Sequence, residues 1–502
     1  MSSTTTTPGS GRIVDPASPR PSRTRSRLIL AGMTAGAAIG YATFALARYA
    51  DGRSTAFDLV IFDQAVRGYA ALGAPRSAAK GVLHGFGPHF SVLGDHFSPI
   101  LAVLAPAYWL FDDPRTLLIA QSLLFALAAL PVWRFAERAL GATPAHLVTA
   151  AYLLSWPIAA AVAFDFHEVA FAPLFTALLL ERLQAGRRGQ ALAAAAALLL
   201  VKEDMGLLVA GVGVVLLLAG GPGSGLTGGT RRLGALLTAG GLVAAVLASR
   251  VVVPVLGGDA EFYWAYGRLG PDVPAVLAHL LTHPGDALGT LVTPSGKAYT
   301  LVLLLAPLAF LPLASPIVLA AVPLLAERML ADGFPTWWGV NYHYNAFVVV
   351  VLVLAGVDGA RRLHGWWGRR RGRPALGWAA GVAVATVLLM PVFGYGQAFG
   401  ADLWQRDAWA RAAREASAVV PDGVDVAAAD PAAAWLTARA RVQVWAGADT
   451  RVPWVVADVA RRHQSFDDVS AQRAAVRLLR GLGYRAVYER AGWVVLHRGP
   501  GR

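Results

Sequence analysis

The hydrophobic positions of this chain come in blocks rather than at amphipathic spacings, several of them close to the roughly 20 residues that cross a bilayer as a helix. The first block is Leu28–Ala47, and a polar stretch, Arg48–Pro99, follows it. Ile100–Phe111 is apolar but short and lies among Pro99, Pro106 and Pro114, which suits a re-entrant or interfacial segment better than a span. Thr116–Trp133, His146–Phe164, Val169–Leu183, Leu233–Val253, Tyr299–Ala314, Pro316–Leu330, Asn345–Val357 and Leu376–Ala398 read as further spans. Gln190–Gly220 is too long for one ordinary span and is broken by Lys202-Glu203-Asp204, so it reads as two short helices meeting at a charged break. The pattern predicts an α-helical polytopic membrane protein of about eleven spans plus a re-entrant segment.

The last hundred or so residues, 399–502, change character. Val424–Ala428, Val442–Trp445 and Trp454–Val459 have the look of short strands, Ser470–Leu482 is amphipathic at helical spacing, and Tyr484–Glu489 with Trp493–His497 fits a hairpin around Ala491-Gly492. This region reads as a small soluble α/β domain. No Gly-rich strand–turn–helix phosphate loop marks it as a nucleotide site.

Composition agrees with a membrane class: 56% of residues are hydrophobic and only 15% charged, against about 25% charged in ordinary soluble domains. The soluble alternative, one large Ala/Leu-rich helical protein, does not explain the block lengths. The net charge of +13 raises nucleic acid as a partner, but the arginines flank apolar blocks. Arg12, Arg20, Arg23, Arg25 and Arg27 precede the first span, and Arg361, Arg362, Arg369, Arg370, Arg371 and Arg373 crowd one short loop. That asymmetry is the positive-inside signature of a multi-pass cell-membrane protein. It predicts a cytoplasmic N-terminal tail (1–27, Ser/Thr/Pro/Arg-rich), a transmembrane region 28–398 with outer loops 48–99, 254–297 and 331–344, and an extracytoplasmic C-terminal domain. Ala45-Leu46-Ala47 resembles a signal-peptidase site, but the apolar run is long for a signal peptide and reads as a retained anchor. Cysteine is absent, which excludes disulfides and thiolate metal sites.

Candidate chemistry gathers in the segments placed outside. Lys202, Glu203 and Asp204 are adjacent ionisable groups inside an apolar run, each costing on the order of 2.5–3.5 kcal/mol at mid-bilayer. Either the lysine pairs with a carboxylate to close a helix break, or it grips an anionic group such as a phosphate. Asp58 and Asp63 stand five positions apart, about 140° round a helix, so one is free to face a substrate while the other holds the loop, although lone loop aspartates are commonly turn residues. Asp95-His96 and Asp165-Phe166-His167-Glu168 are carboxylate-plus-imidazole sets compatible with a divalent metal, though they match no His-Glu-x-x-His signature. His343, between Tyr342 and Tyr344, is a further polar contact or an aromatic-belt residue.

Together, Phe57–Gln64 (Phe-Asp-x-x-Ile-Phe-Asp-Gln), Asp95–Ile100 (Asp-His-Phe-Ser-Pro-Ile), Asp165–His167 (Asp-Phe-His) and Lys202–Asp204 resemble a family of bacterial multi-pass membrane proteins catalogued as a domain of unknown function, over most of residues 50–360. That layout is in turn similar to the GT-C membrane glycosyltransferases, which take sugar from a polyprenyl-phosphate donor; the likeness is one of arrangement. It implies that Asp58 or Asp63 is the general base toward an acceptor hydroxyl, that Asp165 and Glu168 are supporting acids, and that Lys202 meets the donor phosphate. Asp95, His96, His167, Glu203, Asp204, His343 and Tyr344 fall to substrate binding. A transporter or flippase for a lipid-linked or anionic solute, with Lys202–Asp204 as its site, is the rival reading, and a non-catalytic scaffold displaying the C-terminal domain is a third. No internal repeat of the kind common in transporters is visible.

Overall fold

A computed structural model describes residues 23–220, 225–226, 228–259, 261–367 and 374–499, with the side chains of 364–367 excluded. The expected tail up to residue 22, the arginines at 369–371 and 373, and part of the Gly-rich loop at 221–224 lie outside the described residues.

Among the described residues four helices are long and apolar enough to cross a membrane: Arg23–Ala50, Arg115–Leu140, Ala142–Val162 and Arg231–Val255. The pair Pro284–Val292 and Ser295–Leu308, bent by 72°, makes up to five if taken as one span. Pro99–Leu110, Met205–Ala219, Val273–Thr282 and Pro374–Leu389 are apolar but shorter. By this measure the count falls well short of the eleven or so expected. At two of the expected spans the reason is proline, which cannot donate to an i−4 carbonyl and clashes with it. The expected span Tyr299–Ala314 is α-helical only to Leu305 and continues as 3-10 turns at Ala306–Leu308 and Leu311–Ala314, where Pro307 and Pro312 sit. Its partner opens as a 3-10 turn, Pro316–Ala320, before the helix Val322–Leu330. The charged break does separate two short helices, Arg188–Leu199 and Met205–Ala219.

Small residues decide how the break is held. Met205–Ala219 packs on Arg231–Leu247 backbone to backbone: a Cβ on Gly206 would lie 2.4 Å from the Gly241 carbonyl oxygen, and one on Gly213 would lie 2.4 Å from the Thr238 nitrogen. Apolar side chains gain little from leaving lipid for another apolar surface, so such close approach is what binds helices there.

The long polar stretch 48–99 is not an open loop. It holds a π-type turn, Ala56–Val60, running straight into the helix Ile61–Ala70, then a further helix, Ala78–Leu83, begun by Ser77, whose hydroxyl accepts from the Lys80 N–H.

The C-terminal region builds a five-stranded mixed sheet. The strands are β1 (Asp425–Ala428), β2 (Arg441–Val444), β3 (Trp454–Asp458), β4 (Arg485–Arg490) and β5 (Trp493–His497), in the order β2-β1-β3-β5-β4. β1 is parallel to β2 and β3, and β5 is antiparallel to β3 and β4. Ala491 and Gly492 both take positive φ, 47° and 88°, as a tight two-residue hairpin requires. The helices Ala408–Val419 and Val469–Gly481 are each started by an aspartate, Asp407 and Asp468, accepting a backbone N–H three residues on.

This sheet docks on the end of the first helix and the segment after it. Trp435 Nε1 donates to the Tyr49 carbonyl at 3.0 Å, Arg414 to the Ala50 carbonyl at 3.0 Å, and Gln64 Nε2 to the Val442 carbonyl at 2.7 Å. One continuous buried apolar cluster joins the helices to the sheet, so residues 48–99 and the C-terminal sheet share one side of the molecule. Replacing Gly206→Val should lower thermal stability in detergent by about 1–3 kcal/mol, the usual cost of overpacking. Gly240→Val, where a Cβ meets nothing within 4 Å, should stay near wild type; equal losses in the two variants would count against the close-packed seam.

Candidate functional site

The π-type turn Ala56–Val60 presents Asp58 in its first turn. The Asp58 carboxylate faces His167, whose Nε2 lies 3.0 Å from Oδ1. His167 belongs to the short bend between the helix Trp156–Val162 and the turn Glu168–Ala170. Gln121 pins that bend, accepting the His167 N–H at 3.2 Å while donating to the Ala161 carbonyl. The imidazole stacks on His343 with ring centres 3.5 Å apart, and Phe62 and Phe164 close its other sides.

From His167 the contacts continue along the chain. Glu168 is fully buried, and its Oε1 is 3.6 Å from Lys202 Nζ. Glu203 takes His96 Nδ1 at 2.8 Å and the Phe97 N–H at 2.9 Å. The His96 ring stacks on Tyr263, whose hydroxyl donates to Asp95 at 2.7 Å, and Lys80 lies 2.9 Å from the same carboxylate. Tyr344 borders His343 at 4.2 Å between ring centres, and its carbonyl accepts from Arg328, which also donates to Asn345 Oδ1 at 2.7 Å. Segments at 58, 95–96, 167–168, 202–204, 263 and 343–345 are thus tied into one string of polar contacts.

Asp63 and Asp165 stand apart from that string. Asp63 is fully buried and takes Arg67 at 3.0 and 3.1 Å, Tyr108 at 2.8 Å and Thr437 at 2.8 Å. Its oxygens are committed, and it joins the helix Ile61–Ala70 to the C-terminal region. Asp165 accepts both the Thr55 N–H at 2.6 Å and the Thr55 hydroxyl at 3.1 Å, so it secures the turn that carries Asp58.

Burial and neighbours set the protonation behaviour. Burial pushes the Asp165 carboxyl up to about 6, against the pull of the Thr55 and Ser54 hydrogen bonds and of Arg48. Burial works against a charged His167, but the Asp58 carboxylate beside it wins and holds the imidazole above its ordinary value. Burial and the neighbouring His167 drive His343 well below its own, so the two stacked rings shift in opposite directions. Burial and Lys202 oppose a charged His96, and Glu203 with Asp95 overcome them to raise it.

Several buried polar atoms in the string have no hydrogen-bond partner among the described residues: both Glu168 oxygens, Asp204 Oδ1, His167 Nδ1, His343 Nδ1 and Arg328 Nε. A purely structural network would satisfy such atoms, because each costs about 1–3 kcal/mol when left unmade. Among the described residues no three His, Asp or Glu groups gather closely enough to hold a metal ion; the acids and imidazoles expected to bind one pair with each other or with cations.

Lys80, Tyr263, Arg328 and Asn345 are not singled out by the sequence. Glu327-Arg328 carries the same signal as Lys202–Asp204, adjacent charges in an apolar block. Lys80 carries no local signal, since its partners lie far off along the chain.

A family model described as "Predicted membrane protein (DUF2079)" matches residues 48–495, which contain all four motifs noted above. Among solved structures, the fold is similar to that of ArnT from Cupriavidus metallidurans. The structure bound to undecaprenyl phosphate superposes with a TM-score of 0.52 at 14% identity, covering 92% of this chain and 99% of that one. The apo structure gives 0.50 at 14% identity, with 93% and 99% covered. The oligosaccharyltransferase AglB from Archaeoglobus fulgidus, in complex with an inhibitory peptide and a dolichol-phosphate, reaches 0.41 at 11% identity, over 93% of this chain and 74% of that one. No curated protein sequence matches the chain. At this identity the likeness to ArnT is one of fold.

The raised Asp165 carboxyl has a consequence for stability. The folded chain holds that proton more tightly than an unfolded one, so the contribution is complete below pH 3.8 and disappears as pH rises through about 6. Asp165→Asn cannot ionise yet can still accept from Thr55. Its melting temperature should therefore gain on wild type between pH 4 and pH 8, by the equivalent of at most about 3 kcal/mol. Parallel melting curves over that range would contradict the assignment.

Proposed function

We propose, on the premise that the chain belongs to the DUF2079 family of predicted membrane proteins, that it is an integral membrane glycosyltransferase moving a sugar from a polyprenyl-phosphate donor to an acceptor hydroxyl at the outer membrane face. The observation that carries this reading is the meeting of Asp58, presented by the turn Ala56–Val60, with His167 at 3.0 Å, beside the buried Glu168–Lys202 pair. A base and a cation stand at neighbouring points of one string, at the end of the helices where a lipid's phosphate reaches water. The similarity of the fold to ArnT, solved with undecaprenyl phosphate, supports a donor of this kind.

In this reading Asp58 is the general base. The bond between the sugar's anomeric carbon and the phosphate oxygen breaks, and the phosphate leaves with the electron pair. The acceptor oxygen forms the new bond to that carbon as its proton passes to Asp58, a transfer typically worth 10²–10⁴-fold. His167 holds the carboxylate in place and is itself held by His343. Lys202 meets the charge that grows on the leaving phosphate, and Glu168 keeps the ammonium aimed. Asp63 and Asp165 keep the loop in shape. The helix ends rich in arginine, at Arg134 and Arg138, Arg182 and Arg187, and Arg361 and Arg362, support a cytoplasmic N-terminus, which puts the Asp58 side and the C-terminal sheet outside.

Mass spectrometry of the purified protein should find a co-purified polyprenyl phosphate. Asp58→Asn should lose 10²–10⁴-fold in sugar transfer while retaining that lipid, whereas Lys202→Ala should release it. Full transfer by Asp58→Asn would end the proposal, as would a wild-type preparation with no lipid phosphate.

A further inference from the structure

The turn Ala56–Val60 begins with backbone N–H groups that no helical carbonyl can take. Two carboxylates from distant parts of the chain take them. Asp165, from the helical region, accepts the Thr55 N–H at 2.6 Å. Asp430, from the C-terminal region, accepts the Ala56 N–H through Oδ1. The other Asp430 oxygen lies 3.3 Å from Nε2 of His463, which is buried.

His463 is fixed in turn. Its backbone N–H donates at 2.9 Å to Gln472 Oε1, from the helix Val469–Gly481, and Gln472 Nε2 donates to the carbonyls of Asp458 and Arg461. The Phe57 ring, next to Asp58, lies 6.5 Å from the His463 ring. A Cβ on Gly52, just before the turn, would come 2.8 Å from Pro431 Cγ, so this stretch of backbone is pressed against the residue following Asp430. The two carboxylates sit where the N-terminal pole of the turn favours negative charge, and charge-assisted bonds of this kind are the strong ones.

We propose that Asp430 is a positioning residue: the C-terminal region, through Asp430 and its His463–Gln472 support, sets the backbone from which Asp58 reaches the reacting groups, and Asp165 holds the same turn from the membrane side. Asp430 touches no reacting atom. It acts through the Ala56 amide, two residues from Asp58. The proposal rests on Asp58 being the base only for its consequence in activity; the mechanical claim stands on the Asp430–Ala56 and Asp165–Thr55 hydrogen bonds. A displacement of about 1 Å at a reacting group costs on the order of 10²-fold in rate.

The experiment is hydrogen exchange on the full-length protein in detergent, read at the amides of residues 55–60, with sugar transfer measured on the same samples. Asp430→Ala should speed exchange in that segment and lower kcat about 10²-fold with KM within about threefold. Asp430→Asn keeps an oxygen for the Ala56 N–H and should restore most of the protection and of kcat. His463→Gln should fall between the two, and it serves as the reading if Asp430→Ala does not fold. Unchanged exchange at 55–60 in Asp430→Ala, or in His463→Gln in its place, overturns the clamp whatever the activity. Asp58→Asn with full transfer removes the assigned base and leaves the clamp to be decided by exchange alone.

Discussion

A charged group left alone in hydrocarbon is too costly to keep, and the arrangement of this protein follows from that constraint. The acids and cations found among apolar residues either pair within the fold or collect at helix ends. At one end Arg138 and Arg182 close on the buried Glu181, and Arg361 and Arg362 on the buried Asp358. At the other, Asp58, Glu168, Lys202, Glu203, His96 and His167 meet. The two ends differ in one respect that bears on function. Arginines surround the carboxylates at the first, whereas the second mixes carboxylates with imidazoles and a lysine.

The C-terminal sheet belongs to that second end. It contributes Thr437 to the buried Asp63 cluster, a backbone carbonyl to Gln64, and Asp430 to the turn before Asp58. The segment from Tyr49 to Arg67 is therefore held between two bodies, helices on one face and sheet on the other. A loop clamped in this way can present a carboxylate at a fixed place.

Parts of this were legible from residue order. The strands expected at Val424–Ala428, Val442–Trp445 and Trp454–Val459, the helix at Ser470–Leu482 and the hairpin at Ala491-Gly492 all lie within a residue or so of those observed. Short Val- and Ala-rich runs bounded by turn residues are a local signal, and local signals survive folding. The helical region was harder. Apolar blocks report burial or lipid contact but not helix length, so in sequence the 3-10 segments around Pro307, Pro312 and Pro316 look like parts of spans.

What the order of residues determined by itself is the membrane class, the strand-bearing C-terminal region and the short list of charged clusters, because each rests on composition or spacing within a few neighbours. Only the tertiary structure separated Asp58 from Asp63, five positions away. One faces His167 while the other is spent on Arg67, Tyr108 and Thr437. It alone brought Asp430 to the Ala56 amide and Lys80 to Asp95. Such pairings join groups far apart along the chain, and their geometry is set by how helices and sheet pack, which no local pattern encodes.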